Sequence, residues 1–321
     1  MRMRLATPDD LPALRDLARA TLIHDADAPA IVDLLWADAA DGCRVVAEGP
    51  DSSSILGFAL GSLRPARDGK PVTGHVDLLV VAPEHQSRGV GRAVLAEVER
   101  RLIAVGAARL RIRGNPPNYA WPGIDVRYTP ATCLASSAGY GRLWDANNML
   151  VDLAAATSAG LLATGADERR LAELGVEVRR AKAEDEDSLR AWVQAEFGGS
   201  WAAECGIALR NEPPTLHVAT RDGQFVGFAA HAAPRVPVFG PMGTGEAARG
   251  LGIGTVLLRR CLADQRDAGV DVAEIGWVGP VRFYARAVGA RLGRVFWAYE
   301  KSWAHEKSAG VAREGSDVGA R

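Results

Sequence analysis

The sequence predicts an α/β (α+β) fold made of two tandem copies of one domain. Three observations carry that expectation. Two landmarks recur in the same order, a similar series of strands and helices accompanies each, and 321 residues is comfortable for two ordinary domains.

The first landmark stands at the N-terminus. Arg4, Leu5 and Ala6 read as a short strand, and Thr7-Pro8-Asp9-Asp10 as a capped helix start with acids in its first turn. Arg179-Arg180-Ala181 and Glu184-Asp185 repeat the pattern, with an offset of 175 from Ala6 to Ala181. The second landmark is Gln86-Ser87-Arg88-Gly89-Val90-Gly91, matched by Arg249-Gly250-Leu251-Gly252-Ile253-Gly254 at an offset of 163. The second copy is 12 residues shorter between the landmarks. Duplication explains the shared order better than chance.

In the first half, helices are expected over Asp10–Leu22 and Ala28–Ala40. Strands rich in Val, Leu and Ile follow at Arg44–Glu48, Ile55–Arg64 and His75–Val81, bounded by Gly, Asp and Ser. Val94, Leu95, Val98 and Leu102 lie at helical spacing and predict a helix over Arg92–Val105. A strand at Ala108–Arg113, a long loop, a short helix near Pro130–Ala138 and a strand at Asn147–Leu153 close the half.

The second half is expected to carry strands at Glu177–Ala181, Leu216–Arg221, Phe225–Ala232, Val236–Phe239, Asp271–Ile275 and Arg294–Trp303. Its helices fall at Glu184–Phe197, Trp201–Arg210, Thr255–Ala268 and Val281–Val288. The domains are therefore read as 1–153 and 176–303, with a linker over 154–175 and a polar, Gly-rich, disordered tail over 304–321. Within the linker, Asp167–Leu174 could be helical.

Composition narrows the function. The formal net charge of −1 argues against a broad nucleic-acid footprint. No run reaches the roughly 18 apolar residues of a membrane span, and Leu153–Gly165 is too short and is broken by Thr157, Ser158 and Gly160. MRMRLATPDD has no apolar core, so it is not read as a signal peptide, and the expected compartment is cytoplasmic. Cys43, Cys133, Cys205 and Cys261 form no CxxC pair and have no His at ligand spacing; buried reduced thiols are expected, and no metal site.

Each second landmark joins a strand to a long helix through glycines. A helix N-terminus offers unpaired N–H groups and the positive end of a dipole, and glycines let a phosphate approach the backbone. Each loop therefore has the chemistry of an anion site. Gly91 is followed by Arg92-Ala93 and Gly254 by Thr255-Val256, so the Lys of a nucleotide-triphosphate loop is missing. The third Gly of a dinucleotide fingerprint is also missing or misplaced.

The pattern Gln/Arg-x-x-Gly-x-Gly after a strand resembles the CoA-binding motif of GNAT N-acetyltransferases. Both copies match it, and the strand Asp77–Val81 with Pro83 is similar to the family's fourth strand. The resemblance covers nearly the whole chain to Trp303. It implies two tandem GNAT domains, each a mixed, centrally splayed sheet with helices on both faces, and acetyl-CoA as cofactor. It also implies that Gln86, Ser87, Arg88, Gly89, Val90, Gly91 and Arg92, and Arg249, Gly250, Leu251, Gly252, Ile253, Gly254 and Thr255, receive the pyrophosphate. The pantetheine arm would then lie along Leu79, Val80 and Val81, or Met242, Gly243 and Thr244.

Amide formation from a thioester needs a neutral amine and an acid for the departing thiolate. In the family that acid is often a Tyr on the helix after the fifth strand. Tyr284, five residues before Gly289, matches that position; in the first half Leu134, before Gly139, stands there and cannot donate a proton. The second half is therefore expected to be catalytic and the first degenerate. His231, Glu246 and Glu274 are the candidate bases. Glu274 leads, as a lone acid in the apolar strand Val272–Ile275 whose pKa burial would raise, although it could instead face solvent or pair with an Arg, or a water could serve. Trp277 and His231 are candidate acceptor contacts, and Trp277 could equally be packing. The aromatic loop Asn115–Tyr128 could wall an acceptor pocket or brace the two halves.

Ile275-Gly276-Trp277-Val278-Gly279-Pro280 with Phe283-Tyr284 is more similar to bacterial glucosamine/glucosaminide N-acetyltransferases than to mycothiol synthase, whose Asp/Asn-rich stretch is missing. The resemblance implies a small-molecule primary amine, an amino sugar, as acceptor. A protein lysine or N-terminus, and a non-catalytic CoA-binding module, are the rival readings. A monomer, as an internal pseudo-dimer, or a homodimer is expected.

Overall fold

A computed structural model describes residues 1–50, 54–66 and 69–303. The expected tail, 304–321, lies outside the described residues. In chain order the elements are β1 (Arg2–Leu5), α1 (Leu11–Thr21), α2 (Ala28–Asp38), β2 (Arg44–Glu48), β3 (Ile55–Arg64), β4 (Thr73–Val81), α3 (Val90–Ala104), β5 (Arg109–Ile112), β6 (Ile124–Asp125), α4 (Thr129–Ser137) and β7 (Gly141–Asp152). Then come α5 (Leu153–Ser158), α6 (Gly165–Glu173), β8 (Val176–Arg180), α7 (Glu186–Phe197), α8 (Gly199–Leu209), β9 (Leu216–Arg221), β10 (Gln224–His231), β11 (Val238–Thr244), α9 (Ile253–Asp267), β12 (Val272–Ile275), α10 (Val281–Val288) and β13 (Arg291–Ser302). Residues 154–175, read as a linker, hold most of α5 and all of α6.

The chain divides into two compact units, and the division does not follow the repeat. One unit holds Met1–Ala146 together with the described residues from Phe296 onward; the other holds Asn147–Val295. In the first unit β1, β2, β3 and β4 pair antiparallel in order. β4 then pairs parallel with β5, and β5 antiparallel with the end of β13, Tyr299 opposite Ile112. In the second unit β8, β9, β10 and β11 pair antiparallel in order. β11 pairs parallel with β12, and β12 antiparallel with the end of β7, Ile275 opposite Met149. Each sheet is therefore mixed, with helices on both faces, as the family resemblance implies.

The repeat persists in atomic detail. Arg4 donates to both carboxylate oxygens of Asp10 at 2.7 and 2.8 Å, and Arg179 to those of Asp185 at 2.7 and 2.8 Å. The same two carboxylates accept the backbone N–H of Thr7 and of Lys182, each at 2.7 Å. These bidentate bonds tie strand to helix start at both landmarks, and the bond from Arg4, foremost, holds the Asp10 carboxyl down at about 2.

Periodicity is honoured in α3. Val94, Leu95, Val98 and Leu102 are buried against β2–β4, each contributing about 1.5–3 kcal/mol of apolar burial. Cys43, Cys205 and Cys261 are buried free thiols; Cys133 corrects the expectation, because it sits on the exposed side of α4.

Candidate active site

The site is built where a strand outruns its neighbour. β4 pairs with β5 only through Thr73↔Arg109, Gly74↔Leu110 and His75↔Arg111. Beyond His75, β4 continues to Val81 with its β5-side edge unpaired. In the second unit β11 pairs with β12 at Val238↔Glu274 and Phe239↔Ile275, then continues to Thr244. A bulge marks each divergence. On β4 the register slips at Asp77, and on β11 at Gly240–Pro241. Bulges bend a strand and end its pairing, and they recur next to active sites. Each unit thus presents a free strand edge that an extended chain can pair with.

The two loops share one backbone. Ser87 and Gly89 have φ of 58° and 85°; Gly250 and Gly252, at the same offset, have 82° and 87°. Alternate left-handed residues turn successive N–H groups to one side, a concavity that receives anions. Gly89 and Gly252 are the N-caps of α3 and α9, and neither helix has an acid in its first turn. The motif's first residue does the same work twice. Gln86 Nε2 donates to the Val81 carbonyl at 3.1 Å, and Arg249 Nε to the Thr244 carbonyl at 3.4 Å, so each closes the end of its splayed strand.

The third motif position is small for a different reason. A Cβ on Gly91 would stand 3.3 Å from Leu134 Cδ2 and 3.4 Å from Val81 Cγ2. One on Gly254 would stand 3.3 Å from Met242 Cε and 3.7 Å from Phe283 Cζ. The first turn of each long helix therefore touches both the splayed strand and the helix after the fifth strand. That brings Leu134 to the first loop and Phe283 of α10 to the second, with Tyr284 the next residue on that helix.

Tyr284 is buried, in T-shaped contact with Phe283 and Phe239, at ring separations of 5.0 and 6.3 Å. Burial pushes its phenol above the usual value of 10. The hydroxyl therefore holds its proton across the physiological range.

Glu274 is buried but its setting is not apolar, which corrects the expectation. Asn148 Nδ2 donates to Oε1 at 2.5 Å, Arg294 Nη1 lies 3.2 Å from Oε2, and Arg235 Nη1 3.9 Å from Oε2. Asn148 and Arg294 donate to it and Arg235 adds a second cation nearby, so this carboxylate is engaged as an ion-pair centre. β13 and the β10–β11 connection bring in the arginines, and no local spacing announces them.

His231 does not join the site either. It lies opposite Phe239, so it points to the α9 face. There its Nε2 is 3.4 Å from Asp264 Oδ2, and His217 Nε2 is 2.7 Å from the same oxygen. Burial opposes ionisation of Asp264, yet hydrogen bonds from His217, His231 and Arg180 hold its carboxyl well below the usual range. Glu246 is exposed in the turn ahead of the second loop.

Trp277 follows β12 with φ of 51°, a conformation non-glycine residues rarely adopt. Its N–H donates to Asn148 Oδ1 at 2.7 Å, and the next N–H, of Val278, to the Asn147 carbonyl at 2.8 Å. Asn148 thus ties Glu274 and the strained Trp277 together, just ahead of α10. Trp277 itself is half-buried beside this turn.

Two features were not read from the sequence. The first is an aromatic wall in the second unit. Phe197 stacks on Trp201 at 5.5 Å and 21°, with Trp192 and Phe228 edge-on to it. A Cβ on Gly243 would come within 2.7 Å of the Phe197 ring, so this wall lies directly on the splayed strand. The aromatics cluster in sequence at 192–201, but only packing shows what they face. The second is Asp77, in the β4 bulge, whose carboxyl burial pushes well above the usual range against a bond from Ser62. A lone acid inside Val76–Val81 was the available signal, the same that drew attention to Glu274. Asp77 lines a 20 Å³ cavity with Leu35, Arg113, Tyr119 and Trp121, space for about one water.

The loop Asn115–Tyr128 makes that cavity small. Trp121 Nε1 and Tyr128 Oη donate to the two oxygens of Asp25 at 2.9 Å each, and Asn115 donates to Ser62 at 2.8 Å. Ala120 is buried among Phe58, Leu78 and Val80. Within the first unit the loop packs onto the α1–α2 face of the sheet.

An anion-receiving loop at the end of a splayed strand with a free edge can hold an extended, phosphate-bearing ligand. The chain belongs to the GNAT acetyltransferase family, whose profile matches residues 11–121 and again 184–293, and it is an N-acetyltransferase. Among solved structures, it is similar to the GCN5-related glucosamine N-acetyltransferase region of a fungal multi-domain GH3 β-N-acetylglucosaminidase (TM-score 0.75, 18% identity). That match covers 94% of this chain and 38% of the fungal one, so this chain spans about two fifths of that protein. A tandem GNAT protein from the clavulanic acid biosynthesis pathway matches with a TM-score of 0.63 and 17% identity, covering 94% of this chain and 98% of that one. A GCN5-related N-acetyltransferase from Sphaerobacter thermophilus matches with 0.62 and 18%, covering 94% and 95%. No curated protein sequence matches the chain. No helix among the described residues is long and apolar enough to cross a membrane.

Proposed function

We propose that the second unit moves an acetyl group from acetyl-CoA to the primary amine of a small acceptor, an amino sugar or glucosaminide. One observation carries the choice of unit. Tyr284, which keeps its proton, lies on the helix that touches the second loop through Phe283, whereas Leu134, at the same spacing before its glycine, has no proton to donate.

The residues present fit the cofactor. The paired left-handed positions of the loop suit a pyrophosphate, and the free edge of Gly240–Thr244 suits the amides of a pantetheine arm. When bound, acetyl-CoA supplies an activated acetyl thioester. The loop amides and Arg249 hold the anionic end, the strand edge orients the arm, and the Tyr284 hydroxyl holds the proton a leaving thiolate requires. Glu274 is committed to its arginines, so a water takes the proton of the acceptor ammonium.

The acceptor reading rests on the aromatic wall. Partly exposed, flat rings of Phe197 and Trp201 beside the splayed strand fit the face of a sugar ring. The first unit has Asp77 as an acid on its splayed strand, but its aromatic loop leaves space for about one water beside it. Transfer there is disfavoured by volume. The fungal region is described as a glucosamine N-acetyltransferase, which makes glucosamine the first acceptor to try.

The test is to incubate the protein with acetyl-CoA and a panel of glucosamine, its oligosaccharides, lysine peptides and simple amines, and to follow free thiol. Turnover is expected with the sugars. Turnover with peptides alone would make the protein the acceptor, and binding without turnover on any amine would make the chain a CoA-binding module.

A further inference from the structure

The second loop has a neighbour that the first lacks. A Cβ built on Gly89 meets nothing within 4 Å, whereas one built on Gly252 would stand 2.7 Å from Arg170 Nη2. Arg170 lies on α6, outside the family motif. Its Nη2 donates to the Leu251 carbonyl at 2.9 Å, so the guanidinium rests on the rim of the loop. Among the described residues the acid paired with it is Asp167 on the same helix, 3.8 Å away, and the Arg170 side chain is 47% exposed.

α6 is held against α9 so that this placement is not accidental. Asp167 lies 3.2 Å from Arg259 and Glu168 2.7 Å from Arg260, while Leu171 is fully buried in the core around α9. These contacts fix α6 along the helix whose N-terminus makes the loop, and the side chain one residue before Leu171 reaches that N-terminus.

The geometry points to Arg170 as a phosphate-binding residue of the second cradle. This rests on the reading of that loop as the acetyl-CoA site and adds a residue from outside the motif. One N–H bonds the loop carbonyl and fixes the guanidinium; the remaining donors and the full charge are left for an anion seated on the loop amides. A planar guanidinium suits phosphate oxygens. The helix dipole and the fixed cation act on the same charge. The first cradle has loop amides and its own motif arginines but, among the described residues, no such clamp, so the two cradles would differ in phosphate affinity.

The experiment is calorimetric titration of the full chain and of Arg170→Gln and Arg170→Lys, with acetyl-CoA and with phosphate-free S-acetylpantetheine. Arg170→Gln is expected to weaken one acetyl-CoA binding event about tenfold, Arg170→Lys to recover part of it, and the difference to shrink as salt is added. Binding of S-acetylpantetheine should not change. Unchanged acetyl-CoA affinity in Arg170→Gln overturns the proposal. Tighter binding also overturns it and makes the side chain a plug of the loop. Equal loss for the phosphate-free compound shows that Arg170 only shapes the loop. If the unaltered chain binds no acetyl-CoA, the cofactor reading itself fails, an outcome distinct from any seen only in the variants.

Discussion

Tyr284 and Glu274 illustrate how far a residue's role depends on its surroundings. Tyr284 was singled out by its place before Gly289, Glu274 as a lone acid in an apolar strand. Tyr284 is buried, and burial keeps it protonated. Tyr284→Phe should lower kcat by about a hundredfold, at the low end for loss of a positioned acid, while acetyl-CoA affinity by calorimetry stays as it was. Unchanged kcat would remove it from the chemistry. Glu274 meets Arg294 and Arg235 instead. His75 carries the clearest pH signature. It is fully buried at the last paired position of β4, and burial pushes it down to about 3. Above pH 6.5 both folded and unfolded states are neutral there. As pH falls below 6.5 the unfolded chain gains a proton that the folded one refuses, so stability declines down to about pH 3. The slope is about 1.4 kcal/mol per pH unit. His75→Gln should flatten urea-unfolding free energy against pH by that amount between pH 6 and 4. His217, also pushed down by burial, acts with the same sign and would keep part of the slope. A parallel curve would mean His75 is protonated without penalty.

At the scale of elements, the turn between β12 and α10 sets where Tyr284 stands. That turn has a left-handed Trp277 and is held by Asn148, which bonds both the Trp277 amide and Glu274. Asn148→Ala leaves the Trp277 N–H without its acceptor and Glu274 without its neutral donor. A stability loss of about 1–3 kcal/mol is expected, together with a fall in kcat that exceeds any change in the KM for acetyl-CoA. Asn148→Asp, which keeps the acceptor but sets a carboxylate beside Glu274, should be worse than Ala. Loss of stability with kcat intact would make the clamp merely structural. The elements themselves were largely legible. β2, β3, β9 and α10 have the expected limits, because alternating or helical apolar spacing is a local signal. β11 runs to Thr244, five residues past its expected end, because Gly240-Pro241 reads as a stop in sequence but forms a bulge in the sheet. β6 is two residues long and exists only because β13 pairs with it.

For the whole molecule, sequence repeat and folded unit are not the same object. The end of β13 completes the first sheet through Glu300↔Arg111 and Lys301↔Leu110, with Phe296 and Tyr299 buried in that unit and Lys301 2.8 Å from Glu99. A fragment ending at residue 153 would expose the β5 edge and lack both side chains. Phe296→Ala and Tyr299→Ala scale losses alone would be about 3–5 kcal/mol each, comparable to a domain's whole stability. Such a fragment should show no cooperative thermal transition, and appending residues 291–303 to it should restore one. A cooperative melt of the unextended fragment would contradict this.

The sequence by itself determined the duplication, the two glycine loops, the family and the asymmetry between Tyr284 and Leu134, because each is written in local spacing or fixed offsets. Only the tertiary structure decided which strand completes which sheet, which charges surround Glu274, where His231 points, and that Arg170 lies on the second loop. Those depend on contacts between residues tens to hundreds of positions apart. The free energy of such contacts comes from burial and pairing in three dimensions, and no periodicity along the chain records it.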